Sequence, residues 1–456
     1  MMLRSLATSA RNLSRDESEA IAKRALSFRT TDEMRVVINS SSRGNTRFAT
    51  NQITTAGDTV DAVVTVLSRF GKRTGSSSTN QLDDDALRAT VQMAERLATL
   101  RPEDPEAMPE LGPQTYQPGC DWADSTAALD ARGRARVVEQ ITESAKRAGL
   151  VSTGFLETIA GSTAVANSRG LFAYDRATSS VLTTTARTRD GTGSGWAGAT
   201  HHDWSRIDSR TLGATAAAKA TRSVRPVAIE PGRYTVVFEP TAVANLVQFI
   251  TRALNARAAD EGRSFFSDTA GTNKIGQKVV DERVIISSDP FDPNVAGAPF
   301  TGDGLPAQRV VWIENGVVKN LDYDRYWAQR HNRAPSGSGG SIRMSGGSAS
   351  LDDLIRSTTR GVLVTRFWYL RPVDERTILY TGLTRDGTYL IEHGTVTKPV
   401  KNLRFNDSPI FMLNNLDEMG ASVRVSASEG GDPGQAIMVP PIKVHDFNFT
   451  SLSDAV

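Results

Sequence analysis

The chain has 456 residues, with 53 Lys and Arg against 51 Asp and Glu and a formal net charge of +2. That balance leaves no electrostatic footprint for a dedicated nucleic-acid or membrane-surface protein. With 39% hydrophobic and 23% charged residues, disorder is excluded as the dominant state, and the length predicts two or three compact units.

Cys120 is the only cysteine, which rules out an intramolecular disulfide and a Cys-based zinc cluster. No apolar run approaches the ~18 residues that a spanning helix needs, so a cytoplasmic protein is expected. Met1–Ser14 holds Arg4 and Arg11 with no acid before Asp16. That is faintly transit-peptide-like, but a first helix running on through Ile21 and Leu26 is the better reading.

Ser14 and Glu17 form a capping box that opens this helix. Short strands are predicted at Met34–Ile38, Thr46–Ile53 and Val60–Leu67, with Phe70–Gly75 as turn chemistry. Leu87, Val91, Ala94 and Leu97 mark a helix over Asp83–Leu100. Five prolines in 101–120 make a surface connector. A helix over Thr126–Ala148 follows, then strands at Gly154–Ala160, Ala164–Ser168 and Leu171–Thr188, and a helix over Ser209–Arg222. Arg225-Pro226 and Pro231-Gly232 punctuate a boundary, dividing the chain into an N-terminal unit (1–226) and a C-terminal one (227–456).

In the second unit Tyr234–Phe238 reads as a strand and Pro240 as the N1 residue of an amphipathic helix. The helix carries Val243, Leu246, Val247, Ile250 and Leu254 on one face. Beyond it the pattern is β-type: Lys278–Ile286, Gln308–Glu314, Val317–Leu321, Gly361–Tyr369, Tyr389–Glu392 and Ile437–Val444. Residues 334–350, rich in Gly and Ser, read as a mobile loop. Helices and strands lie in blocks, so the fold class is α+β, an N-terminal helix and antiparallel-strand domain followed by a larger β-rich domain.

Chemistry is sparse. Of five histidines, only His201-His202-Asp203 forms a local cluster of metal-capable groups. On a strand, His201 and Asp203 would share a face and His202 would point away, which leaves a zinc site short of a third ligand. His393 in Glu392-His-Gly394 fits a two-residue turn, and His445 fits a structural histidine. There is no G-x-S-x-G elbow, Walker A loop or dinucleotide fingerprint.

The second half carries an ordered set of motifs. Gly232-Arg-Tyr-Thr-Val-Val-Phe-Glu-Pro240 is followed by Gly262-Arg-Ser-Phe-Phe-Ser267, Gly304-Leu-Pro-Ala-Gln-Arg309 and Ile313-Glu-Asn-Gly-Val-Val-Lys319. Then come Thr359-Arg-Gly-Val-Leu-Val-Thr-Arg-Phe-Trp368, Ile391-Glu-His-Gly394 and Lys398-Pro-Val-Lys401. Together with Thr46-Arg-Phe-Ala-Thr-Asn51, they resemble the TldD/PmbA family, also described as modulators of DNA gyrase, from about residue 30 to the end.

The resemblance implies a metallopeptidase fold and two subunit types. One is a catalytic zinc subunit with a His-Glu-x-x-x-His helix and a later Cys ligand; the other, PmbA or TldE, lacks those groups and partners it. Here the three helix positions fall near Val247, Gln248 and Arg252. No His occurs between His202 and His331, and no Cys after Cys120. The chain therefore resembles the non-catalytic type: no catalytic residue, no metal ligand and no cofactor in this chain, with zinc expected in a TldD-like partner and a peptide as substrate. Arg263–Ser267 and Arg366–Trp368 flank the family's chamber region and are the substrate-contact candidates. Two alternatives stay open: a metal-free homodimeric scaffold or peptide-binding protein, and an enzyme using another site such as His201, His202 and Asp203.

Overall fold

The computed structural model describes residues 12–269, 271–426 and 436–453. The segment before residue 12, where the transit-peptide comparison falls, lies outside the described residues. Helix α1 (Arg15–Ser27) is opened by the expected capping box: Ser14 Oγ accepts from Glu17 N, and Glu17 reaches back to Ser14 N at 2.8 Å.

Strands β1 (Glu33–Ala49), β2 (Gln52–Phe70) and β3 (Arg73–Thr79) follow. The expected strands Met34–Ile38 and Thr46–Ile53 are wrong in one respect. β1 runs unbroken through Ser40–Asn45, because those polar residues keep pairing with β2 and β4. The chain reverses at Thr50-Asn51, both with positive φ (51° and 62°), as a two-residue hairpin turn requires. Asn51 secures the turn: its Oδ1 accepts from Ser152 N at 2.7 Å, and its Nδ2 donates to Leu150 O.

The expected helix over Asp83–Leu100 is α2 (Asp84–Leu100), and Asp83 caps it, its side chain accepting from Ala86 N. The predicted helix over Thr126–Ala148 is two helices, α3 (Asp124–Ala127) and α4 (Ala131–Arg147). Asp130 restarts the second by accepting from Gly133 N at 2.7 Å. Then come β4 (Val151–Asn167), β5 (Phe172–Arg187), β6 (Ser194–His201) and α5 (Ser209–Arg222). The six strands form one antiparallel sheet in the order β3-β2-β1-β4-β5-β6. Met34, Val36, Ile38 and Phe48 of β1 point to one face and meet α1, α2 and α4. The opposite face, carrying Asn39, Thr163 and Asp175 in one cross-strand row, looks toward the C-terminal unit.

The C-terminal unit begins with β7 (Gly232–Phe238), α6 (Pro240–Arg252), α7 (Ala256–Asp260), β8 (Ile286–Ser288), β9 (Val310–Glu314) and β10 (Val317–Val318). Lys278–Ile286 is therefore not a strand. Asp281 turns the chain there, its Oδ1 accepting from Arg283 N and its carbonyl from Val284 N. Helix α8 (Arg325–Arg330), β11 (Ile342–Met344) and α9 (Leu351–Arg356) come next. The mobile-loop expectation for 334–350 fails: β11 sits inside a sheet between β8 and a later strand, and Gly337 and Gly339 accept backbone bonds from Gln308 and Ala298.

Strands β12 (Arg360–Val364) and β13 (Phe367–Asp374) replace the single strand expected over Gly361–Tyr369; they pair with different partners. The chain closes with β14 (Leu379–Thr384), β15 (Thr388–Glu392), β16 (Thr395–Pro399), β17 (Leu403–Asp407), α10 (Pro409–Asn414), β18 (Leu416–Met419), β19 (Val423–Ser426), β20 (Ala436–Val439) and β21 (Ile442–Leu452). His393-Gly394, both with positive φ, make the β15–β16 turn. Two sheets result, β10-β9-β8-β11-β20-β19 and β13-β14-β17-β21-β7-β12-β15-β16, with β18 paired to β21. Their common core includes Phe238, Phe367, Phe405, Phe447 and Phe449, none more than 1% exposed. Helices beside antiparallel strands, then a larger β-rich part, make the molecule α+β.

Candidate functional site

Helix α6 lies inside this core. Every residue from Thr241 to Ile250 is buried, so the helix is enclosed rather than amphipathic, and it stops at Arg252 before the expected Leu254. Val247 is 0% exposed. The Gln248 amide donates to Asn245 O at 3.1 Å and accepts from Arg252 Nη2 at 3.1 Å. Arg252 also lies over the Phe249 ring, which stacks on Tyr380 at 3.7 Å. A zinc ion needs imidazole, thiolate or carboxylate donors. An isopropyl group, a carboxamide and a guanidinium do not fit it.

The two substrate-contact candidates lie near α6 but line different cavities. Arg263 and Ser264 border a pocket of about 220 Å³ with Phe249, Arg252, Glu375 and Tyr380. Phe266, in the same segment, is core. Arg366, 3% exposed, is held between Trp196 and Trp368, its guanidinium carbon 4.5 and 5.1 Å from the ring centres. Its Nη1 is 3.4 Å from Asp386 Oδ2. These groups wall a 330 Å³ cavity between β5, β6 and the C-terminal unit. Asn245 of α6 reaches the same segment, its Oδ1 accepting from Phe367 N at 3.0 Å.

The His201-His202-Asp203 geometry differs from the expectation. β6 ends at His201 and the next two residues bend, so the imidazoles lie side by side with centroids 4.5 Å apart. Asp203 N donates to His201 Nδ1 at 2.9 Å. The Asp203 carboxylate accepts from Ser125 Oγ and from Ser205 N and Oγ, which pulls its pKa down to about 2. Burial, with help from Arg424, pulls His201 down to about 4. Among the described residues, no group of three or more His, Cys, Asp or Glu is placed to share a metal ion.

His202 does border the cavity of about 410 Å³ on the face of the N-terminal sheet that looks toward the C-terminal unit. Asp121 and Asp175 stand in it, with Arg424 and the backbone of Gly297, Gly339 and Gly340 completing the walls. Thr178 joins the parts: its N–H donates to the Asp121 carbonyl at 2.9 Å, and its Oγ1 lies within hydrogen-bond distance of the carbonyls of Asp121 (3.0 Å) and His202 (2.9 Å). Burial raises Asp121 to about 7, with Asp175 adding repulsion, and raises Asp175 to about 6. Sequence reading passed over both aspartates. They lie in a connector and mid-strand, with no local motif, and meet only through the sheet register.

Two antiparallel-rich units thus enclose a helix between strands and leave cavities where they meet. The chain belongs to the PmbA/TldD metallopeptidase family: its domain 1 matches over 35–98, its central domain over 121–224 and its C-terminal domain over 231–451. A metalloprotease of Methanothermobacter thermautotrophicus is 28% identical over 251 residues, covering 51% of this chain and 53% of that protein. A metalloprotease TldD homologue of Buchnera aphidicola is 28% identical over 184 residues, covering 37% and 38%. The chain thus matches about half or less of these relatives' lengths. TldE from Thermococcus kodakarensis shares the fold at a TM-score of 0.82, with 19% identity over 95% of this chain and 100% of that one. So does a proposed modulator of a DNA gyrase from Thermotoga maritima, at 0.83 and 18% identity over 95% and 100%.

Proposed function

We propose that this chain is the TldE-type, metal-free subunit of a TldD/TldE-type metallopeptidase complex that cleaves peptides or unfolded segments. A TldD-like partner carries the zinc. One observation carries the reading: the positions expected for His-Glu-x-x-x-His hold buried Val247, the amide of Gln248 and its bonded Arg252. Zinc lowers the pKa of bound water and a carboxylate takes its proton, and none of those donors stands here. What this chain can supply is enclosure and strand edges. β13 is the edge of its sheet and exposes Trp368 (36%) and Tyr369 (49%), where an extended peptide can add as a further strand. The reading takes 1–226 and 227–456 as its units and the cytoplasm as its place; no helix among the described residues is long and apolar enough to cross a membrane.

The test is reconstitution. The isolated chain is expected to cleave no peptide, and to form with a His-Glu-x-x-x-His paralogue a complex whose activity chelation abolishes. Stoichiometric zinc in the isolated chain, lost in His201→Ala, would overturn the proposal in favour of an enzyme with its own site. A homodimer indifferent to every such paralogue would overturn it in favour of a scaffold.

A further inference from the structure

β2 pairs with β1 along its whole length, from Gln52 to Arg69, but β3 joins its other edge only from Val64 onward. Among the described residues, no strand pairs with the outer edge of Gln52–Val63. From Gln52 to Asp61 every residue is exposed except half-buried Gly57, and Ile53 and Val60 each keep 44% of their surface in solvent. Water or another chain must satisfy that row of N–H and C=O groups.

Sheet edges are ordinarily blunted by Lys, Pro, bulges or shortness. Here β16 carries Lys398 and Pro399, and β19 is four residues long with Arg424. Residues 52–63 hold no Lys, Arg or Pro, and the only break in register with β1 lies at the hairpin tip, between Arg47 and Phe48. A long edge left open in this way is a template for one more strand.

The pattern of residues points to a second copy of the same strand. Along a strand, successive residues turn their N–H and C=O to opposite edges. Two copies of one edge therefore pair antiparallel only in registers whose two-fold axis passes through a residue. An axis through Asp58 or Asp61 sets carboxylate against carboxylate, which is destabilising. An axis through Gly57 joins Gln52 to Ala62 and so uses nearly the whole bare edge. It sets Thr55 opposite Thr59, Thr54 opposite Val60, Ala56 opposite Asp58 and Ile53 opposite Asp61, with no acid facing an acid. Asp58 is already answered within its own chain by Arg134 Nη2 of α4 at 2.5 Å, and Asp61 Oδ1 accepts from Ala62 N at 2.9 Å. The partner's turn at Thr50-Asn51 would end where β3 takes over the edge at Val64.

We propose that two copies of this chain pair through β2, antiparallel about a two-fold axis at Gly57, joining their N-terminal sheets into one. Such an interface uses the same patch on both copies. It lies on a surface that the subunit reading does not use, so either can fail alone.

Sedimentation equilibrium of the full chain and one cross-link test this. The unaltered chain should be a dimer at micromolar concentration. Gly57→Cys should give a covalent dimer on mild oxidation, because opposed residues at the axis have Cα atoms about 4.5–5.5 Å apart, within disulfide reach. A Cβ there would meet only Asn45 Nδ2, at an ordinary 3.8 Å, so the variant should fold. The unaltered chain, with Cys120 alone, should not cross-link. Thr55→Glu with Thr59→Glu places each new carboxylate beside Arg47 or Arg43 of its own β1, yet opposes Glu to Glu across the axis. That pair should weaken the dimer at least tenfold, and Thr55→Glu with Thr59→Lys should restore it. A monomer at high micromolar concentration would overturn the proposal. So would a dimer that Gly57→Cys does not cross-link and the Glu pair does not weaken, since it would use another surface. Protection of the Gln52–Val63 amides from exchange only on adding a His-Glu-x-x-x-His paralogue would also overturn it, giving the edge to that partner. A dimer with the expected cross-link supports the proposal whether or not reconstitution with such a paralogue yields peptidase activity.

Discussion

Asn245→Ala probes how the enclosed helix α6 positions the Arg366–Trp368 segment. Asn245 is 0% exposed, and its Oδ1 accepts from Phe367 N at 3.0 Å. Truncation leaves that N–H without its acceptor inside the core, at a cost of about 1–3 kcal/mol. The void adds to this, and loss of the unsatisfied Asn245 Nδ2 offsets part of it, so the net remains about 1–3 kcal/mol. For a unit of the size matched at 231–451, unfolding entropy of ~2.1 cal/mol/K per residue makes each kcal/mol worth about 2 °C. Tm should therefore fall by about 2–6 °C. Calorimetry reads the shift, and amide exchange at Phe367 reads its cause, since that amide should lose protection more than the rest of β13. A Tm within about 1 °C of the unaltered protein, with Phe367 protection intact, would refute the claim that this side chain holds the segment.

Three further outcomes are expected. Arg366→Met removes one partner of Asp386, 5% exposed, and leaves Arg385 at 3.9 Å and the Ser194 hydroxyl, so it should destabilise by less than the ~3–5 kcal/mol of a fully broken buried pair, with a change in Trp196 and Trp368 fluorescence. Gly195→Ala should prevent α5 from seating on β6, because a Cβ would lie 2.3 Å from Ala220 N and 2.4 Å from Ala216 O. The loss should be at least the ~1–3 kcal/mol of ordinary overpacking, read by denaturant melts. Asp121 sets a pH dependence: its folded pKa, about 7, lies above the usual carboxylate value, so ionisation disfavours the folded state. Its contribution is fully present below about pH 4 and is lost as pH rises through 7. His201, lowered to about 4, acts oppositely below pH ~6.5. The difference in Tm between the unaltered protein and Asp121→Asn across pH 4–8 isolates the aspartate, and a pH-independent difference would refute its burial.

Local chemistry was legible wherever a structure is decided within a few residues. The Ser14–Glu17 box, Pro240 at N1 and the His393-Gly394 turn each follow from one side chain or one φ preference acting on its own backbone. The ordered motifs carried the family for the same reason, since each is a short stretch read without its neighbours. What the sequence did not settle depends on partners far along the chain. Ser40–Asn45 stay in strand because β2 and β4 flank them, and Gly- and Ser-rich 334–350 is ordered because β11 has neighbours on both sides. α6 looks one-faced in sequence, yet packing from both C-terminal sheets encloses it. Asp121 and Asp175, 54 residues apart by number, face one cavity only because Thr178 pins the connector against β5. Burial then gives two ordinary carboxyls their unusual proton affinity. Desolvation is a property of the surroundings, and only the tertiary structure supplies the surroundings.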